Sequence, residues 1–440
     1  MSNLLTSRIS DYAESNNLYP IWQFGFRKNR STVAAASILY ETAKTRLTSK
    51  KRTYTCFVDF SKCFDTIRRD LLFMKLQTLG IPFQICRLLH FIFKNLHFVI
   101  KSGKYLTREF SSNIGLPQGD PLSPILFGLF IHDLPNFLSH TGIEINGTYL
   151  KYLMFADDLA IVADSAKELQ RAIDDLFTYC VKNGLKINVS KTKCMIFHRG
   201  RLPQCSFKLN DVELEIVNSF TYLGFKFSTQ LSFSAHLNNV TVKANSRCGI
   251  LMSRLPLRNL PLELVLQVFR CYVLPIFTYG HQLYVNECSK NSLRAADATF
   301  TKYLKRYLGI PYHANNSITH YLTSTVPLTT TLNTLRMTGL NAFTMPPEMH
   351  GYTLSFLNNS NANTKYDPLP LIPTYFWRSR SFHKLPTLFY NRKKLCYEIY
   401  DITHLDICST EKFHILNHET CICRGCGQKM YHYHQYCCEL

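Results

Sequence analysis

Three aspartates stand where carboxylates are least expected. In LMFADDLAIVAD, residues 153–164, Asp157 and Asp158 follow each other inside an apolar run. In TYTCFVDF, residues 53–60, β-branched and aromatic residues lead directly into Asp59. Runs of this kind read as buried strands or hairpins. Adjacent negative charges on them cost several kcal/mol unless positive charge meets them. A third carboxylate arriving on a neighbouring strand deepens that deficit, and divalent cations would resolve it. Mg²⁺ takes few protein carboxylates and completes its shell with water and phosphate oxygens. Two such ions about 3.5–4 Å apart clamp the attacking and leaving oxygens of a phosphoryl transfer. The chain closes with a second cluster able to do chemistry, CICRGCGQKMYHYHQYCCEL. There Cys423, Cys426, His434 and Cys438 follow the pattern Cys-x2-Cys-x7-His-x3-Cys, a closed tetrahedral set for structural Zn²⁺. His432 and Cys437 are alternative ligands to the last two. A zinc-folded tail would grip nucleic acid through Arg424, Lys429 and the nearby tyrosines.

The elements around these residues must hold them in place. The chain has 440 residues, enough for two or three domains, and its 46% hydrophobic content excludes a disordered chain. Lys and Arg number 50 against 30 Asp and Glu, a formal charge of +20. That excess favours a polyanionic partner, nucleic acid before membrane. No uncharged apolar run reaches the roughly 18 residues of a membrane span, since LVLQVFRCYVLPIF is broken by Arg270 and Pro275. The polar start MSNLLTSRISDYAESNN does not read as a signal peptide. Cysteines scattered singly on apolar segments (Cys56, Cys86, Cys180, Cys248, Cys271) suit a reducing compartment. The expected location is therefore intracellular, nuclear or cytoplasmic, not secreted.

Residues 1–50 read as helical, interrupted by the turn QFGFRKNRST. Its Arg27, Lys28 and Arg30 beside Phe24 and Phe26 suit either a surface that tracks a nucleic-acid backbone or a solvated loop. Residues 68–98 show helical apolar spacing. GLPQGDPLSP is a Gly/Pro turn, with Ser123 as expected N-cap and Pro124 as first helical residue of ILFGLFIHDL. In SAKELQRAIDDLFTYCVKNG, Ser165 and Glu168 fit a capping box, Leu169, Ile173, Leu176, Phe177 and Cys180 share a face, and Gly184 stops the helix. LKINVSKTKCMIFH returns as a strand, and SFTYLGFKFS is a short strand or hairpin. This order predicts an α+β layer with a mostly antiparallel, helix-backed sheet. Residues 232–310 read as helical and basic. Lys302, Lys305 and Arg306 share a face there, either against phosphates or in solvent. Residues 313–375, rich in Asn, Thr, Ser and Pro, predict a loosely structured connector.

In this order the segments resemble the reverse transcriptase of non-long-terminal-repeat (LINE-type) retrotransposons. FVDFSKCFDTI is similar to the family's first palm motif, GLPQGDPLSPILFGLFIHDLP to the motif under the nascent base pair, and FADDLAI to the metal-binding hairpin. GLKINVSKTKCMIF and FTYLGFKFS resemble the two motifs that follow. LPLELVLQVFRCYVLPIFTYG and LRAADATFTKYLKRYLGIP resemble the thumb. The resemblance implies a right-hand polymerase: partial fingers and palm over residues 1–228, helical thumb over 229–312, connector over 313–395, and a zinc-knuckle-like tail over 396–440. It implies that Asp59 and Asp157 hold two Mg²⁺ ions, with Asp158 supporting the one near the primer 3′-hydroxyl, and that this hydroxyl attacks the α-phosphate of a dNTP. It places Phe64 beneath the sugar, where it disfavours a 2′-hydroxyl, and Gln118 near the sugar and base. Phe60 and Arg27 join these as nucleotide-binding residues. Lys191 stands where a lysine protonates the leaving pyrophosphate, with Lys193 as a rival. The implied partners are an RNA template, a DNA primer and dNTPs.

Family members carry more of the fingers before the first helix, so the chain is expected to be N-terminally truncated. No nuclease domain is visible, so an endonuclease is expected from another chain or from a missing N-terminal part. Two readings follow: an RNA-directed DNA polymerase, or a catalytically inactive nucleic-acid-binding remnant. RNA-templated RNA synthesis is disfavoured by Phe64.

Overall fold

The computed structural model describes residues 2–138, 142–145 and 148–340. The zinc-knuckle-like tail, with Cys423, Cys426, His434 and Cys438, lies outside the described residues. The chain divides into two compact units, one within residues 1–236 and one within 237–339.

In the first unit the helices are α1 (Ser2–Ser15), α2 (Thr32–Thr48), α3 (Cys63–Thr66), α4 (Arg69–Thr78), α5 (Phe83–Lys94), α6 (Leu122–Phe130), α7 (Leu134–Phe137) and α8 (Ala166–Asn183). The strands begin with β1 (Thr53–Val58). Four two-residue strands follow, β2 (His97–Phe98), β3 (Lys101–Ser102), β4 (Tyr105–Leu106) and β5 (Phe110–Ser111). After them come β6 (Ile143–Ile145), β7 (Thr148–Leu150), β8 (Tyr152–Phe155), β9 (Asp158–Ala163), β10 (Lys193–Phe197), β11 (Phe207–Leu209), β12 (Val212–Ile216), β13 (Ser219–Tyr222) and β14 (Phe225–Ser228).

Six strands form one sheet in the order β11-β12-β10-β1-β9-β8, antiparallel except for the β10–β12 pair. The mixed helix-and-sheet architecture and the largely antiparallel layer agree with the sequence. Strand β1 is central and buried along its whole length, which explains why TYTCFV is apolar at both parities apart from its threonines. Helices α2 and α8 pack against the sheet. The β13–β14 hairpin lies over β1, with Phe220 stacked on Phe57 at 4.3 Å between ring centroids. Its turn, Leu223-Gly224, has positive φ at both residues (47° and 85°), the backbone that tight two-residue hairpins demand.

Helix α8 begins as its sequence predicts. Ser165 Oγ accepts the Glu168 N–H at 3.2 Å, and Gly184 ends the helix with φ 70°. The Glu168 carboxylate reaches back to the Asp164 N–H at 3.2 Å, one residue before the cap. Helix α6 starts differently from expectation. Ser123 is already inside it and its hydroxyl donates to the Pro117 carbonyl at 2.6 Å. Asp120 supplies the terminal acceptor instead, taking the Leu122 N–H at 3.0 Å. The proline-rich turn curls under the helix and draws the serine away from the capping position.

The second unit is helical, as the sequence suggests, with α10 (Leu262–Tyr272), α11 (Leu274–Thr278), α12 (His281–Tyr284), α13 (Lys290–Leu308), α14 (Asn316–Leu322) and α15 (Leu328–Leu340). Helix α9 (Ser234–Arg254) precedes them. Two expectations need correction here. Residues 316–340 are not a loose connector: Asn315 caps α14 through the Ser317 N–H at 2.9 Å, and buried Asp297 receives the Leu328 N–H at 2.7 Å at the start of α15. Nor does Lys305 share an open cationic face with Lys302 and Arg306. It is buried and donates to the carbonyls of Tyr312 and Ala314, and burial lowers its pKa. Among the described residues no single helix is long and apolar enough to cross a membrane, although the bent pair Leu262–Thr278 and His281–Glu287 passes by length and composition.

Candidate active site

The chain places Asp59, Asp157 and Asp158 at one end of the sheet. Asp59 directly follows β1, whose partner β9 begins at Asp158, with Val58 opposite Leu159. Asp157 sits in the two-residue loop between β8 and β9, where Phe155 pairs with Asp158. The first loop residue, Ala156, has φ 57°, a conformation that glycine usually occupies. The register therefore brings the adjacent pair of aspartates beside the third.

Their electrostatics show the crowding. The Asp158 carboxyl is held above the ordinary 3.8, first by loss of water, then by the charges of Asp157 and Asp59. Its outer edge still reaches solvent, so the carboxyl is open to a ligand. Cys63, buried at the start of α3, donates its thiol to Asp157 Oδ2 at 3.5 Å. Burial and the Asp157 charge push the thiol up to about 12, so it stays protonated and able to donate. Among the described residues, no set of three or more His, Cys, Asp or Glu side chains is gathered closely enough to hold a metal unaided. The three carboxylates nevertheless form an all-oxygen donor set. That suits a hard cation whose remaining positions are filled by phosphate and water.

Residues 186–192 strap the β1 end. Ser61 N–H reaches the Lys186 carbonyl at 2.7 Å, Phe60 bridges Ile187, and Asn188 N–H reaches the Asp59 carbonyl at 2.8 Å. The Asp59 N–H in turn donates to Thr192 Oγ1 at 3.3 Å. Asn188 then turns the chain, its side-chain oxygen receiving Ser190 Oγ at 2.8 Å. The turn puts the Lys191 ammonium 4.0 Å from Asp59 Oδ2, with 69% of the side chain exposed. Lys193 points elsewhere and pairs with Glu215 at 2.6 Å. Of the two lysines named from sequence, Lys191 is the one beside the carboxylates.

The expected nucleotide-binding residues fare differently. Phe64 is half-buried and stacks on Phe127 at 4.9 Å between centroids. Gln118 is exposed, and its amide donates to Asp65 Oδ1 at 2.9 Å. The strap Gly115-Leu116 pairs with the Phe64–Ile67 backbone: Leu116 N–H meets the Phe64 carbonyl at 2.7 Å, and Gly115 N–H meets Ile67 at 2.8 Å. A Cβ on Gly115 would lie 2.7 Å from the Asp65 carbonyl oxygen, so only glycine permits this approach. Phe60 is buried. Arg27 is withdrawn from solvent, with 7% of its side chain exposed. It makes a two-pronged pair with Glu14 at 2.9 and 2.7 Å, donates to the Pro20 carbonyl at 3.0 Å, and lies over the Tyr19 ring. Its guanidinium is committed to partners within the fold.

Sequence reasoning missed two contributors. One is Cys63. The other is the segment Trp22–Gly25, which forms a parallel bridge with β8 at Gln23 and Met154. A glycine between two aromatics, in FGF, was the available signal of close backbone approach.

With this geometry in view, the relationships are direct. The family model described as "Reverse transcriptase (RNA-dependent DNA polymerase)" matches residues 1–227, and the chain belongs to that family. It is similar to the "RNA-directed DNA polymerase from mobile element jockey" of Drosophila funebris, 24% identical over 322 residues, covering 71% of this chain and 34% of that protein. It is likewise similar to the "Probable RNA-directed DNA polymerase from transposon X-element" of Drosophila melanogaster, 24% identical over 328 residues, 72% of this chain and 35% of that one. These matches agree with the resemblance to polymerases of non-long-terminal-repeat retrotransposons. The chain spans about a third of the length of these relatives. The structure of apo telomerase from Candida Tropicalis aligns at a TM-score of 0.40 and 12% identity, over 80% of this chain and 60% of that one.

Proposed function

We propose that this chain is an RNA-directed DNA polymerase that adds deoxynucleotides from dNTPs to a primer 3′-hydroxyl on an RNA template. The observation that carries this reading is the meeting of Asp59, Asp157 and Asp158 at the end of β1, within a chain of the reverse transcriptase family. Asp59 and Asp157 would hold two Mg²⁺ ions, with Asp158 supporting the ion near the primer. When bound, the ions supply charge neutralisation and orient the reacting oxygens. The chain's own residues do the rest. Lys191, exposed beside Asp59, would give a proton to the departing pyrophosphate. Phe64, braced by Phe127, presents a flat apolar surface that leaves no partner for a 2′-hydroxyl. Gln118, braced by Asp65, offers its amide to the sugar and base. On this reading residues 1–228 comprise fingers and palm, and the helices within 229–312 form the thumb. The +20 net charge suits the polyanionic template and primer.

The test is primer extension on an RNA template with Mg²⁺, comparing dNTPs with NTPs, beside an Asp157→Ala, Asp158→Ala control. Extension from dNTPs that disappears in the control supports the reading. A folded, RNA-binding wild type that extends nothing would leave the chain a nucleic-acid-binding remnant. Equal use of NTPs would overturn the role given to Phe64.

A further inference from the structure

The acidic hairpin has a positive-φ alanine at its turn, and that conformation needs outside support. The structure shows where support comes from. Gln23, with 1% of its surface exposed, points its Oε1 at two backbone donors: the Gly25 N–H at 2.9 Å and the Ala156 N–H at 3.2 Å. One oxygen thus ties the turn residue before Asp157 to the segment beside it. The backbone reinforces the tie. Phe24 N–H donates to the Met154 carbonyl at 2.7 Å, and Met154 N–H to the Trp22 carbonyl at 3.0 Å. Trp22 is itself fixed through its indole N–H to the Tyr149 carbonyl at 3.1 Å. Gly25 passes so close that a Cβ there would stand 2.3 Å from the Ala156 nitrogen. At the far end, Arg27 anchors the segment to Glu14.

We infer that Gln23 is a positioning residue: its side-chain oxygen holds Ala156 in the turn that presents Asp157 and Asp158, and so sets the rate of nucleotide transfer. It touches neither nucleotide nor reacting atoms. This inference rests on the polymerase reading for its effect on rate, but the clamp itself is a property of the hairpin.

Two variants of similar length separate the possibilities. Gln23→Met removes the acceptor, and Gln23→Glu keeps an oxygen within reach of both N–H groups. Amide hydrogen exchange is followed in peptides covering 153–160 and, as a reference for overall stability, in α8. Exchange over 153–160 should accelerate at least tenfold in Gln23→Met, less than that in Gln23→Glu, and remain unchanged in α8. In primer extension, Gln23→Met should lower kcat at least tenfold with primer–template affinity within about twofold, and Gln23→Glu should recover part of that loss. Unchanged exchange in the hairpin, or equal acceleration in α8, would overturn the clamp. A kcat within twofold of wild type would overturn its role in rate. If wild type extends no primer, the polymerase reading fails, while the exchange measurement still decides whether Gln23 holds the turn.

Discussion

Replacing Gly25 with alanine probes the tightest approach in the site. The added Cβ would lie 2.3 Å from the Ala156 nitrogen, whereas ordinary contact begins at 3.4 Å. Either backbone must therefore yield by about 1 Å. Overpacking of that size costs about 1–3 kcal/mol. The displacement also carries Ala156 beyond hydrogen-bonding reach of Gln23 Oε1, now at 3.2 Å. Leaving that buried N–H unmet adds about 1–3 kcal/mol. A total of about 2–6 kcal/mol lowers the melting temperature of a unit this size by roughly 4–24 °C, at about 2–4 °C per kcal/mol. Activity should fall further than stability does, because a 1 Å misplacement of reacting groups costs about 100-fold. The assay is thermal melting alongside primer extension at a temperature where the variant is fully folded. A Gly25→Ala protein that melts within 2 °C of wild type (about the effect of a 1 kcal/mol change) and extends primer at the same rate would refute the close approach.

Other outcomes follow from the same geometry. Lys191→Ala should slow extension by about 100-fold or more, the range for a lost general acid, while Lys193→Ala, which breaks a partly exposed pair with Glu215, should change the rate less than about twofold and stability by no more than about 1 kcal/mol. Asp158 has its carboxyl raised above 3.8 in the folded chain, so its stabilising contribution is present below that value and lost as pH rises through the folded value. Asp158→Asn should accordingly melt above wild type near pH 7 in chelator, with the gap closing toward pH 3.8, and should extend no primer; a wild type at least as stable at every pH would contradict the crowding. Arg27→Ala leaves Glu14 partly buried and unpaired and should cost about 3 kcal/mol with the dNTP KM of the folded protein unchanged; a tenfold higher KM at unaltered stability would return Arg27 to the nucleotide.

What the sequence discloses depends on how local the cause is. The α8 cap and stop, the β1 strand ending at Asp59 and the β13–β14 hairpin follow from neighbours within a few residues, and all could be read directly. The acidic hairpin was equally legible because apolar residues flank it on both sides. The Trp22–Gly25 clamp was not, since Gln23 and Ala156 are 133 residues apart, and a glycine between aromatics does not name its partner. Arg27 and Lys305 misled for a shared reason. Each is a cation in a basic stretch, but each finds acceptors in the fold, Glu14 for one and the carbonyls of Tyr312 and Ala314 for the other. Composition counts such charges as surface, and only packing reveals that they are interior. Residues 316–340 looked like a connector because Asn, Thr and Ser are weak helix formers. Asn315 as a cap and Asp297 as an acceptor for Leu328 supply what propensity lacks.

The most direct measurement is single-turnover addition of one dNTP to a primer annealed to RNA, with Mg²⁺, comparing wild type with Asp157→Asn after confirming equal folding and equal primer–template binding. The expected result is a primer one nucleotide longer for wild type and a rate at least about 1000-fold lower for the variant, as loss of electrostatic stabilisation at the reacting oxygens requires. Equal extension by both proteins, or none by a wild type that binds its substrates, would contradict it.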